Sequence, residues 1–223
     1  MTCNDIRFIS GATHLLAGPS GSGKTHTVCE ILKNKNVMIV GGEHIKNVIF
    51  CYASWQPIYD KLQNVVTKWI PKLPTNEEFI DLVEKDKDTG GSIVVLDDFM
   101  SDIGKDMVEI VTVSARHNNA STFILFQSLF PIAKSARQIS LNVKYIYVFK
   151  NPRENAQFAY LVRQISPNNY KWIVEAYEEA TRDPYSFFLL DMTQQCPRYL
   201  RFRSQIFPSQ WPIKVWMKKG EVV

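Results

Sequence analysis

The chain has 223 residues, 45% of them hydrophobic, which is enough to bury a full core and makes one α/β domain the default expectation. Net charge is only +4, and the four cysteines (Cys3, Cys29, Cys51, Cys196) include no C-x-x-C pair, which argues against a disulfide framework or a cysteine metal site. Met1 to Asp5 lacks the basic-then-apolar layout of a signal peptide and no apolar run approaches the ~18 residues of a membrane span, so a soluble cytosolic or nuclear protein with no membrane partner is expected.

The first expected strand, 12–17, runs into Gly18-Pro19-Ser20-Gly21-Ser22-Gly23-Lys24-Thr25, which fits G-x-x-x-x-G-K-[ST], and a helix over 23–34 with Val28, Ile31 and Leu32 on one face follows. Strand, glycine-rich loop and helix in that order separate a phosphate-binding loop from a chance match. Small residues let backbone N–H groups wrap phosphates, Lys24 adds a positive charge, and Thr25 offers a hydroxyl to Mg²⁺. The expected triphosphate site runs from Gly18 to His26.

Strands at 37–40 and 48–52 come next, followed by helices at about 56–69, where Pro57 suits a first turn, and at 76–85. Ser92-Ile93-Val94-Val95-Leu96-Asp97-Asp98 reads as a buried strand with two carboxylates at its carboxyl end, the Walker B form. Asp97 is expected to bind Mg²⁺, directly or through water, and Asp98 to orient or deprotonate an attacking water. After a helix at 103–115, strand 121–127 ends in Gln127, whose amide can donate to phosphate and accept from water. Helix 131–138, strand 143–149, helices 153–165 and 168–182, and strands 185–191 and 199–206 complete the pattern. Read as a strand, the last of these puts Leu200, Phe202 and Ile206 on one face and Tyr199, Arg201, Arg203 and Gln205 on the other.

Alternating strands and helices predict an α/β fold with a mostly parallel central sheet, helices on both faces and phosphates at the carboxyl ends of the strands. The expected layout is one domain over 1–208 and an irregular basic arm over 209–223, which holds Pro212 and Lys218-Lys219-Gly220. Charge is uneven along this layout. Residues 76–109 carry eleven acids, whereas 133–172 carry seven basic residues against Glu154, so a polyanion or an acidic neighbour is a candidate partner. His14, His26, His44 and His117 show no metal-ligand spacing and read as packing or surface residues.

Several segments resemble, in order, the viral genome-packaging ATPases of the FtsK–HerA superfamily, in the poxvirus-type branch found in Polinton-like viruses and adintoviruses. They are Gly18–Thr25, Val48 to Pro57 with its Tyr52 and Gln56, Asp97-Asp98-Phe99-Met100, and Phe126-Gln127-Ser128-Leu129-Phe130. Arg137 to Asn142, Phe149 to Glu154, Pro184-Tyr185 to Asp191, and Arg201-Phe202-Arg203 to Phe207-Pro208 follow. Two departures stand out: Gln127-Ser128 where the family commonly has Gln-Asn, and Ala115-Arg116-His117 where it often has a paired histidine.

The resemblance implies a RecA-like, FtsK–HerA P-loop core that hydrolyses ATP with Mg²⁺ in a homo-oligomeric ring. Such a ring moves double-stranded DNA into a preformed capsid, beside a capsid or portal protein, at the virion assembly site of an infected cell. It also implies a Gln127 sensor and an arginine that reaches the neighbouring subunit's γ-phosphate. Arg137 matches a family arginine and Arg116 is the second candidate. Backbone contacts to DNA would draw on Lys134, Lys144, Lys150 or the arginines of 199–206.

Two other function classes remain at this point. Gly-Pro-Ser-Gly-x-Gly-Lys also opens guanylate kinases, although a nucleoside monophosphate kinase leaves Asp97-Asp98 and Gln127 unexplained. A nucleotide-dependent capsid scaffold would need Lys24 but not Asp98. A transporter-type ATPase would need a Leu-Ser-Gly-Gly-Gln signature, which the sequence lacks.

Overall fold

A computed structural model describes residues 5–129, 134–153, 155–218 and 220, without the side chains of residues 102, 134–137 and 155. In chain order the elements are β1 (Thr13–Ala17), α1 (Lys24–Lys33), α2 (Lys35–Met38), β2 (Asn47–Tyr52), β3 (Lys68–Ile70), α3 (Asn76–Val83) and β4 (Ser92–Asp97). Next come α4 (Lys105–Glu109), α5 (Ala115–His117), β5 (Ala120–Phe126), α6 (Lys134–Asn142) and β6 (Tyr145–Phe149). The chain ends with α7 (Asn155–Ile165), α8 (Tyr170–Ala180), β7 (Phe187–Asp191), β8 (Phe202–Ser204) and β9 (Lys214–Val215). A π-helical turn over Ile110–Ser114 joins α4 to α5.

The described strands form one sheet in the order β3-β2-β4-β5-β1-β6-β7-β8-β9. The first six are parallel, and β7, β8 and β9 extend them antiparallel. Both faces are covered, so successive residues of a strand enter different cores. On β4, Ile93 and Val95 pack with Val28, Ile31 and Leu32 of α1, while Val94 and Leu96 pack with residues of α3, α4, α7 and α8. This is the mixed α/β sheet, mostly parallel and covered on both faces, that the alternating pattern predicts.

Four local expectations need correction. The apolar run expected as a strand at 37–40 continues the helical path as α2, leaving Ile39 a single parallel bridge to Phe8. Short apolar runs carry no periodicity that separates the two forms, and Met38 and Ile39 are buried here while Val37 is exposed. The helix expected at about 56–69 stops after a 3₁₀ turn, Pro57–Leu62. Beyond it, β3 pairs with β2 and covers an edge that would otherwise present unpaired backbone groups. Trp69 of β3 lies 5.2 Å from the Phe50 ring, centroid to centroid.

Strand 199–206 shrinks to β8, with a 3₁₀ turn at Arg198–Leu200 before it. Gln205 has φ 54, which breaks the expected alternation, so Phe202 and Ile206 enter opposite cores. Arg203, placed by that alternation on the face opposite Phe202 as a candidate DNA contact, does not reach the surface. It is buried, donating to Asp191 Oδ2 at 2.6 Å and to the Ile6 carbonyl at 2.7 Å. Finally, the segment expected as an irregular arm contributes β9, and Trp216 Nε1 donates to Ser204 Oγ at 2.9 Å.

His14 lies inside β1, stacked on Phe123 at 4.1 Å and on Tyr145 at 4.7 Å, with Nδ1 3.1 Å from the Tyr147 hydroxyl. Burial depresses its pKa to about 3. The unfolded chain takes up a proton near the ordinary value of about 6.5, which the folded chain excludes. Stability should therefore fall by about 1.4 kcal/mol between pH 7.5 and 5.5 in urea titrations. His14→Phe should flatten that slope; an unchanged slope would contradict the neutral assignment.

Candidate nucleotide-binding site

The loop between β1 and α1 is shaped by glycines that no other residue replaces without strain or collision. Gly23 has φ 101 and serves as the N-cap of α1. A Cβ on Gly18 would sit 2.6 Å from Phe149 Cβ on β6, so the loop's first residue presses against the neighbouring strand. The first N–H groups of a helix have no intrahelical partners, and those of α1 point at the loop. No acidic residue occupies the first turn of α1, so nothing there opposes an anion. Lys24 folds back over the loop and donates to the carbonyls of Gly18 at 2.6 Å and Pro19 at 2.9 Å. Burial lowers its pKa, while Asp97 and Asp98 pull the other way.

The two carboxylates of the acidic pair take different partners. Asp97 ends β4 and is buried; Oδ2 accepts from Thr25 Oγ1 at 3.1 Å and from the Tyr59 hydroxyl at 2.9 Å. Burial raises the Asp97 pKa, and these two hydrogen bonds oppose it. The chain then turns sharply, with Asp98 at φ 67, a conformation that non-glycine residues adopt rarely and that costs of order 1 kcal/mol. That turn sends the Asp98 carboxylate to the other side, where Oδ1 accepts from Gln127 Nε2 at 3.1 Å. Gln127 follows β5, whose Leu125 is in register with Asp97, so the strand ends deliver both groups to one place.

Ser20 to His26, Asp97, Asp98 and Gln127 thus line one cavity of about 580 Å³, with Gln56, Pro57 and Tyr185 on its other walls. The donor set fits a magnesium-bound triphosphate. A hydroxyl and a carboxylate oxygen already paired across the loop suit a hard cation, and an ammonium held by loop carbonyls suits phosphate oxygens. Ser22 Oγ is buried with no hydrogen-bond partner among the described residues, a further polar group unfilled at the loop. Among those residues no cluster of His, Cys, Asp or Glu could hold a metal by itself, so the metal set expected here combines Thr25 and Asp97 with ligand oxygens.

No protein-family model and no curated protein matches the chain. Solved structures do. The DNA-packaging ATPase B204 of Sulfolobus turreted icosahedral virus is 17% identical over 83% of this chain and 95% of that one, with a TM-score of 0.54. The genome-packaging NTPase B204 of Sulfolobus turreted icosahedral virus 2, solved with sulfate, is 16% identical over 82% and 92%, with a TM-score of 0.56. This is a P-loop NTPase fold. The cytoplasmic domain of the Thermomonospora curvata type VII secretion ATPase EccC shares it at 15% identity and a TM-score of 0.52, over 83% of this chain and 25% of that one.

Within this P-loop fold the other expected residues lie elsewhere. Arg116 is exposed on α5, which leads into the amino end of β5, so a strand length of roughly 20 Å separates it from the cavity rim. The Arg137 side chain lies outside the described residues, although its helix, α6, follows β5 directly. Lys144 and Lys150 flank β6 at its two ends and so belong to opposite rims of the sheet. Among the described residues no helix is long and apolar enough to cross a membrane.

Tyr59 had no functional reading from the sequence, because only the folded 3₁₀ turn after β2 carries its hydroxyl to Asp97. Tyr59→Phe keeps the ring among Phe50, Tyr52 and Trp69 but removes one of the two donors described at a buried carboxylate. The expected result is a stability loss of about 1.5–3 kcal/mol at pH 8 in urea denaturation. An unchanged midpoint would show that Tyr59 does not support Asp97.

Proposed function

We propose that this chain is an ATP-hydrolysing subunit of a DNA-packaging motor, which moves double-stranded DNA into a preformed capsid without regard to sequence. The observation that carries the hydrolytic part is the pair of hydrogen bonds, Thr25 to Asp97 and Gln127 to Asp98, at the carboxyl ends of strands beside one phosphate loop. Support for the packaging part comes from the likeness of fold to the B204 ATPases and from the ordered sequence segments.

In this reading Lys24 leaves the loop carbonyls for the phosphates, and Thr25 and Asp97 would hold a magnesium ion, which would supply positive charge to the phosphate oxygens. Asp98 orients the attacking water and accepts its proton, and Gln127, already bonded to Asp98, fixes the direction of that carboxylate. Hydrolysis needs no covalent intermediate. A nucleoside monophosphate kinase would leave the Asp98–Gln127 bond without a task.

The chain works as a homo-oligomeric ring, with Arg137 of one subunit, or Arg116, completing the neighbour's site where charge develops in the transition state. Its partners are duplex DNA and a capsid or portal protein, at the virion assembly site of an infected cell. Burial of Arg203 removes it from the DNA-contacting candidates.

Lys24→Ala should abolish ATP binding or turnover. Asp98→Asn should bind ATP yet hydrolyse it roughly 10²–10⁴-fold more slowly. Near-normal turnover in that variant would remove Asp98 from catalysis, and would favour a scaffold if packaging also survived. Mixing Arg137→Ala subunits with Lys24→Ala subunits should restore part of the lost turnover, since intact loops then meet intact arginines. Normal hydrolysis by Arg137→Ala alone in an assembled ring would refute its assignment.

A further inference from the structure

The phosphate loop accounts for one end of a nucleotide and leaves open where its base goes. Thr25, Asp97, Asp98 and Gln127 all lie toward β4 and β5, so the terminal phosphate belongs on that side of β1. The nucleoside must then extend in the opposite direction, past Gly23, toward the β6–β7 side of the sheet.

Tyr185 stands there. It precedes β7, the residue is 72% exposed, and its backbone has φ 64, an unfavourable conformation for an aromatic residue. A turn holds it in place, with Ser186 Oγ donating to the Asp183 carbonyl at 2.5 Å. Its Cβ lies 3.2 Å from where a Cβ on Gly23 would be, so the ring stands directly beside the phosphate loop.

Tyr185 and His26 also line a second cavity, of about 660 Å³, adjoining the phosphate cavity. Its charged walls are mixed, with Glu30, Glu179 and Asp183 against Arg182 and Lys214. A balanced polar wall suits an uncharged nucleoside with hydroxyl and amino groups better than additional phosphate. An exposed aromatic ring at the junction supplies a flat face for a base, and base-on-aromatic stacking is substantial and tolerant of base identity.

We propose that Tyr185 is the nucleobase platform of this site, with the base stacked on its ring and the ribose beside His26 in the second cavity. The proposal rests on the phosphate-loop reading above, and two ligands separate the two claims. Calorimetric titration of the full chain with magnesium ATP and with magnesium tripolyphosphate, which has no base, reads them independently. Tyr185→Ala should weaken ATP binding roughly ten- to a hundredfold while leaving tripolyphosphate within twofold. Tyr185→Phe, which keeps the ring, should bind ATP within about threefold of wild type.

Wild-type-like ATP affinity in Tyr185→Ala would overturn the platform. So would equal losses for both ligands, since these would make Tyr185 a brace for the loop. Wild-type protein that binds neither ligand would refute the phosphate-loop reading, and the platform with it.

Discussion

The site depends on a matter of register. Parallel pairing of β1 with β5, and of β5 with β4, aligns Ala17 with Phe126 and Asp97 with Leu125. Three strands therefore end within a residue or two of one another, and each carries its polar cargo immediately past that end. A slip of one residue in β4 would turn Asp97 into the opposite face and separate it from Thr25. The 3.1 Å bond between those two groups is thus a consequence of how the core packs.

Two close-packed cores hold that register by shape: Val94 and Leu96 fill one side and Ile93 and Val95 the other, and a one-residue slip would exchange the two sets between spaces packed for different side chains. Burial also sets the electrostatics at the rim. Asp97 and Lys24 each lose water, and each would be destabilised as a lone ion. Thr25 and Tyr59 bond to the one, and loop carbonyls hold the other. Those carbonyl bonds are the ones a phosphate group would replace. Asp98 is exposed by contrast, in a left-handed conformation that directs it into the cavity beside Gln127.

The parts legible in the sequence are those written in local patterns. The glycine loop before α1 and the apolar strand ending in Asp97-Asp98 need no tertiary knowledge, and they locate the cavity. What could not be read depends on tertiary packing. Tyr59 is an ordinary aromatic residue until a 3₁₀ turn brings it back under β4, and the run 63–69 reads as the rest of a helix until β2 offers an open edge. Arg203 alternates as a surface strand residue should. Its burial requires Asp191 and the Ile6 carbonyl, which lie 12 and 197 positions away in sequence. Tyr185 was legible only as one member of a resembling segment. Its contact with Gly23 needs the fold to bring β7 near α1.

The central claim is that a hydrolytic site in this fold is coupled to duplex DNA. Steady-state phosphate release from ATP by the intact chain, with and without linear double-stranded DNA of unrelated sequences and across a salt series, tests that coupling directly. The account predicts stimulation that is alike for every sequence and declines steeply as salt rises, because the proposed contacts would be to backbone phosphates. A rate indifferent to DNA at low salt, or phosphate delivered to a nucleoside monophosphate in place of water, would contradict it.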